Sequence, residues 1–232
     1  MQNFVIPFEI FKAVAYHQAR NHPTQKELNG LCVDTSRGYL VASDTWTTCA
    51  VHLPQLQTSS LFPFVIPNYI VSKLIQDCKY KRSQAVLVQL KVQQVAYASS
   101  YSVVGTLECL GNTYPVNAQA NQNTYPWWDM VVPYVSGQYR EPSEPIYPLL
   151  DIDEQYLRRI THTVNLVTTS GYRVISLPNS KVLRYVVGGF SPDAFIICAK
   201  HRLGTQAEPN IAEFTNNTRH SLKKYDIRYL PN

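Results

Sequence analysis

Leu28 to Pro54, LNGLCVDTSRGYLVASDTWTTCAVHLP, reads as three consecutive β-strands. Leu31 and Val33 alternate in the first, Tyr39 to Ala42 form the second, and Cys49, Val51 and Leu53 alternate in the third. Polar residues Asp34-Thr35-Ser36-Arg37-Gly38 separate the first two, and Ser43-Asp44-Thr45 the next pair, so hydrophobic periodicity and turn punctuation agree on a meander.

On either side of this meander the same opening occurs twice. Phe4-Val5-Ile6 is a short strand and Pro7 follows where a first helical turn tolerates proline. In the helix that follows, Phe8, Phe11, Val14, Ala15 and Ala19 share one face, while Lys12, Tyr16 and Arg20 recur every four residues on another. Phe64-Val65-Ile66 is again a strand, and Pro67 opens a helix from Asn68 to Lys79. Its inward stripe is Ile70, Val71, Leu74, Ile75 and Cys78, with Lys73, Gln76 and Lys79 outside. Period-two patterning then returns in Val86 to Val92, Val95 to Tyr101 and Val103 to Leu110, before a turn at Gly111-Asn112. The order strand, helix, three strands is thus repeated within a normal single-domain length.

Tyr134 to Pro148, stiffened by Pro142 and Pro145, reads as a linker. The pattern then resumes. Leu149 to Ile152 is a strand, Asp153 an N-cap, and Tyr156, Leu157, Ile160 and Val164 an inward stripe with Arg158, Arg159 and His162 outward. Strands follow around Tyr172 to Leu177, Val182 to Val187 and Ala194 to Ala199. The remaining segment, Arg202 to Asn232, is polar, with room for one closing strand at Tyr225 to Leu230 and no second proline-led helix.

The 232 residues are 45% hydrophobic and 16% charged, the balance of a globular protein rather than a disordered one. A net charge of +5 permits contact with a polyanion without demanding it. Five cysteines, Cys32, Cys49, Cys78, Cys109 and Cys198, have no CxxC or Cys/His grouping and read as reduced and buried. The N-terminus has no secretory leader and the chain no apolar run long enough to cross a bilayer, which gives a cytoplasmic expectation with no membrane partner. HExxH, GxSxG, P-loop and dinucleotide fingerprints are missing, so no catalytic residue, metal ligand or cofactor is assigned and the expectation is a non-enzyme. Asp151 to Glu154 is an acidic group better explained as a helix start.

The order LNG, a turn, then ASDxxxxxAVxxP resembles the middle domain of the β sliding clamp, the processivity factor of bacterial DNA polymerase III. Phe64-Val65-Ile66-Pro67 is similar to the strand entering that domain's second helix. Tyr125 to Pro133, YPWWDMVVP, resembles the segment that closes the domain. The resemblance covers roughly Phe4 to Pro133. It implies an α+β, DNA-clamp fold: one complete lobe over residues 1–133, two helices on two small antiparallel sheets, then a linker at 134–148 and a truncated second lobe at 149–232. A chain of one and a half lobes suits a divergent phage or mobile-element version.

The resemblance further implies a DNA sliding-clamp-like processivity or docking factor in replication or repair, set against the alternative of a clamp-fold interaction protein that no longer encircles DNA. Its implied partners are double-stranded DNA, a polymerase or other clamp-binding peptide, and further copies of itself in a homo-oligomer. Helix faces that the family turns toward DNA phosphates would carry Lys12, Arg20, Lys73, Lys79, Lys81, Arg82, Arg158 and Arg159. The family's peptide pocket maps onto Leu28, Ser43, Thr45, Trp46, Thr47, Thr48, Pro126 and Val131. Thr45 stands where the family usually has glycine, and Thr48 where it has leucine.

Overall fold

The computed structural model describes residues 1–78, 85–97, 100–120, 153–176, 182–191 and 194–200. Eleven strands occur among them: β1 (Gln2–Pro7), β2 (Gly30–Asp34), β3 (Tyr39–Ser43), β4 (Thr47–His52), β5 (Phe64–Pro67), β6 (Leu87–Tyr97), β7 (Ser100–Cys109), β8 (Asn112–Ala120), β9 (Tyr172–Ser176), β10 (Val182–Val187) and β11 (Phe195–Lys200). Three α-helices accompany them: α1 (Phe8–Ala15), α2 (Asn68–Asp77) and α3 (Glu154–Val167).

The strands are hydrogen-bonded in the order β1-β6-β7-β8-β5-β2-β3-β4-β11-β10-β9. That order has a seam. β5 and β8 meet through the single pair Phe64↔Ala120, whereas β6 and β7 are in register from Gln89↔Glu108 to Tyr97↔Ser100. Two antiparallel four-stranded groups, β1-β6-β7-β8 and β5-β2-β3-β4, are therefore joined at one corner, and β11-β10-β9 extends the second group through β4. The outer edge of β1 is covered from the β4–β5 connection, where Gln55 Nε2 donates to the Val5 carbonyl at 3.1 Å and Ser60 Oγ accepts from Gln2 Nε2 at 2.8 Å.

Both prolines stand at helix starts. Pro7 (φ −57°) and Pro67 (φ −58°) occupy the N-cap positions of α1 and α2, where a helix has no use for an intrahelical N–H. The first helical amide is satisfied in the same way each time, by a neighbouring segment: Phe8 N–H donates to Val86 O and Asn68 N–H to Asn29 O, both at 2.9 Å. α1 buries Phe8, Phe11 and Val14, and α2 buries Ile70, Val71 and Leu74, against Ile6, Leu31, Phe64, Val88 and Leu107 from both strand groups. Each large side chain so buried contributes about 1.5–3 kcal/mol of transfer free energy. α3 begins at Asp153, whose carboxylate accepts from Gln155 N–H at 3.0 Å, and adds Ile160 and Val164 to the same core. A smaller apolar cluster unites Ala19, Leu28, Cys32, Val41, Ala50, Ile196 and Cys198. All five cysteines are free and buried, and among the described residues no helix is long and apolar enough to cross a membrane.

Three sequence expectations need correction. α1 ends at Ala15 rather than running on to Arg20, because the next turn tightens (His17 N–H to Val14 O at 3.0 Å) and Ala19 N–H is taken by Leu28 O at 3.0 Å and Ser43 O at 3.2 Å. β6 runs unbroken to Tyr97, so Val95 to Tyr101 is not one strand. β8, beyond Gly111, has no counterpart in the sequence expectation: only Val116, Ala118 and Ala120 are buried, and Pro115 has no N–H to give to a ladder. Proline is tolerated there because β8 is an edge over most of its length. The linker 134–148, the strand at Leu149 to Ile152, the closing segment Tyr125 to Pro133 and the strand at Tyr225 to Leu230 lie outside the described residues.

Candidate functional site

The β3–β4 turn is the node. Asp44 holds it: one carboxylate oxygen accepts from Trp46 N–H at 3.0 Å, Thr47 N–H at 2.7 Å and Thr47 Oγ1 at 3.2 Å. Its other oxygen accepts from Arg159 Nη1 of α3. Beneath the turn, Ser43 Oγ donates to Thr47 O at 3.0 Å, and Thr48 Oγ1 lies 2.9 Å from the same hydroxyl. Ser43 has one hydroxyl proton, so Thr48 is the donor in that second contact. Thr45, at the tip, has φ +76°, a left-handed conformation that glycine adopts freely and a β-branched residue does not.

This turn meets α3. Trp46, 40% exposed, stacks on Tyr156 with ring centroids 6.0 Å apart and planes 18° from parallel. The Arg159 guanidinium carbon sits 5.6 Å from the centre of the Tyr156 ring. Farther along α3, His162 meets Tyr16 edge to face at 4.6 Å, and Thr163 Oγ1 lies 3.0 Å from Nε2 of His17. His17 is fully buried, and its Nδ1 has no hydrogen-bond partner among the described residues. Burial first, and the Arg159 charge second, hold its imidazole down at a pKa of about 3, so it is neutral.

Between the turn, the start of α3 and the segment after α1 lies a polar cleft of about 420 Å³, lined by residues including Gln18, Arg20, His22, Asp44, Gln155 and Arg159. Its loop wall is tightly built. Asn29 Oδ1 accepts from His22 N–H at 2.5 Å, His22 Nδ1 accepts from Gln25 N–H at 3.0 Å, and Arg20 O accepts from Asn68 Nδ2 at 2.6 Å.

Of the basic residues expected to face DNA, Arg20 is exposed on this loop and Lys12 is half-buried on α1; among the described residues neither makes an ion pair. Three others are paired. Lys73 Nζ is 3.0 Å from Asp77, Arg158 Nη2 is 2.7 Å from Glu154, and Arg159 is held by Asp44 rather than pointing outward. Lys79, Lys81 and Arg82 lie outside the described residues. Of the pocket residues, Ser43, Thr45, Trp46, Thr47 and Thr48 come together in the one turn, and Leu28 joins them through the Ala19 amide that Leu28 O and Ser43 O share. The Leu28 side chain is only 2% exposed and packs with Ile196 and Cys198 of β11. Pro126 and Val131 lie outside the described residues.

Sequence reasoning missed Asp44, His17 and Tyr156 as site residues. Asp44 carried a signal, since Asp followed three positions later by Thr is the pattern of a side chain capping its own turn. His17 carried none, because its burial depends on a helix distant in sequence.

No protein-family model matches the chain, and no curated protein matches it in sequence. Solved structures do. The DNA polymerase sliding clamp from Bacillus subtilis superposes with a TM-score of 0.55 at 11% identity, over 88% of this chain and 65% of that one. The sliding clamp from Caulobacter crescentus superposes with a TM-score of 0.50 at 9% identity, over 92% of this chain and 68% of that one. The chain thus spans about two thirds of the length of these clamps. At such identities the likeness is one of architecture, and the chain has the fold of the bacterial DNA polymerase sliding clamps.

Proposed function

We propose that the chain is a sliding-clamp-like processivity or docking factor in DNA replication or repair, non-enzymatic, built as a complete lobe (1–133), a linker (134–148) and a partial second lobe (149–232). The observation that carries this reading is the clamp fold itself, in which β11-β10-β9 extends the sheet through β4. In the cytoplasm it would act as a homo-oligomer on duplex DNA. Lys12 and Arg20 are the contacts to phosphate that need displace no carboxylate among the described residues; Lys73, Arg158 and Arg159 would first have to leave theirs. The β3–β4 turn and the Tyr156 face of α3 would receive a polymerase-derived peptide, with Pro126 and Val131 completing the groove.

Duplex binding measured by fluorescence anisotropy across a salt series tests this. Affinity should be independent of sequence and fall linearly on a log–log plot, and Lys12→Glu with Arg20→Glu should flatten the slope by about one for each phosphate no longer neutralised. An unchanged slope in that double variant removes these residues from the interface. A second reading is favoured by the ion pairs: with Lys73, Arg158 and Arg159 neutralised, the chain resembles an interaction protein that keeps the fold and leaves DNA alone. Molar mass by light scattering separates the two, since encircling DNA requires an oligomer and docking on a partner does not.

A further inference from the structure

We propose that the joint between α1 and α3 is an acid-released latch, in which protonation of His17 frees α3 from the rest of the fold. Neutral imidazole has one N–H and one lone pair. Nε2 uses one of them on Thr163 Oγ1, and Nδ1 is sealed in with nothing to bond among the described residues. Doubly protonated, the ring would hold a buried Nδ1–H without an acceptor among the described residues and a buried cation beside Arg159.

The surroundings offer that cation no relief. From α3 come Arg159, itself a cation, and the neutral Thr163, with His162 close by against Tyr16. From the β3–β4 turn comes Asp44, already engaged by Arg159 and the turn amides. The segment that carries His17 also holds Glu9, Lys12 and Arg20, and His22 is committed to its own loop.

The strain falls on α3 because His17 sits in its joint with α1; outside that joint the helix is held by the Arg159–Asp44 pair, the Trp46–Tyr156 stack and the core contacts of Ile160 and Val164. Its buried side chains are Ile160, Thr161, Thr163 and Val164, and its principal packing partner is α1. The strands that follow are anchored separately, by the ladder from Phe195↔Val51 to Ala199↔Thr47. A base held below its ordinary value leaves the folded state fully stable above about pH 6.5, and that stability drains away as pH falls toward about 3. Each pH unit in that window raises the open population about tenfold.

Amide hydrogen exchange on the full chain at fixed salt tests the latch, with rates corrected for intrinsic exchange. Between about pH 7 and about pH 5, protection across residues 154–167 should fall about thirtyfold while that of α2 holds. In His17→Gln, whose amide can still bond Thr163 but cannot titrate, the pH dependence of α3 should vanish. Parallel loss of protection in α2 and α3, or an undiminished pH response in His17→Gln, overturns the proposal. Should the variant not fold, the His17 ring proton resonances of the parent decide: titration near the ordinary histidine value with α3 still protected also overturns it.

Discussion

Arg159, in the second turn of α3, donates to the carboxylate of Asp44 on the β3–β4 turn, across a separation of 115 residues in sequence. The side chains are 28% and 13% exposed, so the pair is partly withdrawn from water, and Asp44 also supplies the cap of its own turn. Asp44→Ala should therefore cost about 2–4 kcal/mol, from an orphaned guanidinium together with turn amides left without their acceptor. Arg158→Ala, which breaks an ion pair exposed on both sides, should cost less than about 0.5 kcal/mol. Urea denaturation of the two variants should separate them clearly; equal midpoints would mean that the long-range pair contributes nothing.

Thr45→Gly should stabilise the protein by about 1 kcal/mol. The φ of +76° is strained for threonine and free for glycine, and the gain exceeds the added flexibility of the unfolded chain. The Thr45 N–H contact to Ser43 Oγ at 3.3 Å does not involve the side chain and survives. A lower melting temperature in the variant would show that the threonine methyl or hydroxyl makes a contact worth more than the strain.

Leu28→Ala should lower stability by about 2–4 kcal/mol, because a fully packed side chain leaves a cavity between β2, β3 and β11. Trp46→Ala, at an exposed ring, should cost less in stability and more in peptide affinity. Calorimetric titration of a polymerase-derived clamp-binding peptide against parent and Trp46→Ala reads the second effect. Equal affinities would remove the Trp46 face from the binding surface.

Native alkylation should leave the thiols largely untouched. Burial pushes Cys32 and Cys49 well up, and burial together with a hydrogen bond to the Cys78 thiol pushes Cys109 up to about 12, so little thiolate exists at neutral pH. Reaction with a disulfide dye should be slow in buffer and complete in denaturant. A thiol that reacts at once in the native protein would place a cysteine at the surface.

The parts of this fold visible in sequence are those decided locally. Pro7 and Pro67 mark helix starts because ring and missing N–H act on the residue itself, and β2 to β4 declare themselves through alternation and Gly38 at φ +74°. Asp153 announces α3 in the same way. What escaped was decided at a distance. The end of α1 is set by Leu28 and Ser43, which compete for the Ala19 amide. Arg159 belongs to the polar stripe of α3 by spacing, yet Asp44 draws it inward. The clamp resemblance flagged Thr45 as a substituted glycine, and the left-handed backbone there supplies the physical reason.

The ladder between β4 and β11 also bears on how such a chain can drift through evolution. Residues 47–51 and 195–199 are joined by amides and carbonyls, which every amino acid except proline supplies alike. Side chains on these strands can be exchanged for others of similar volume without erasing the instruction that places β11 beside β4. An architecture written in backbone groups tolerates very different side chains, and a fold can be shared with the clamps at 9–11% identity.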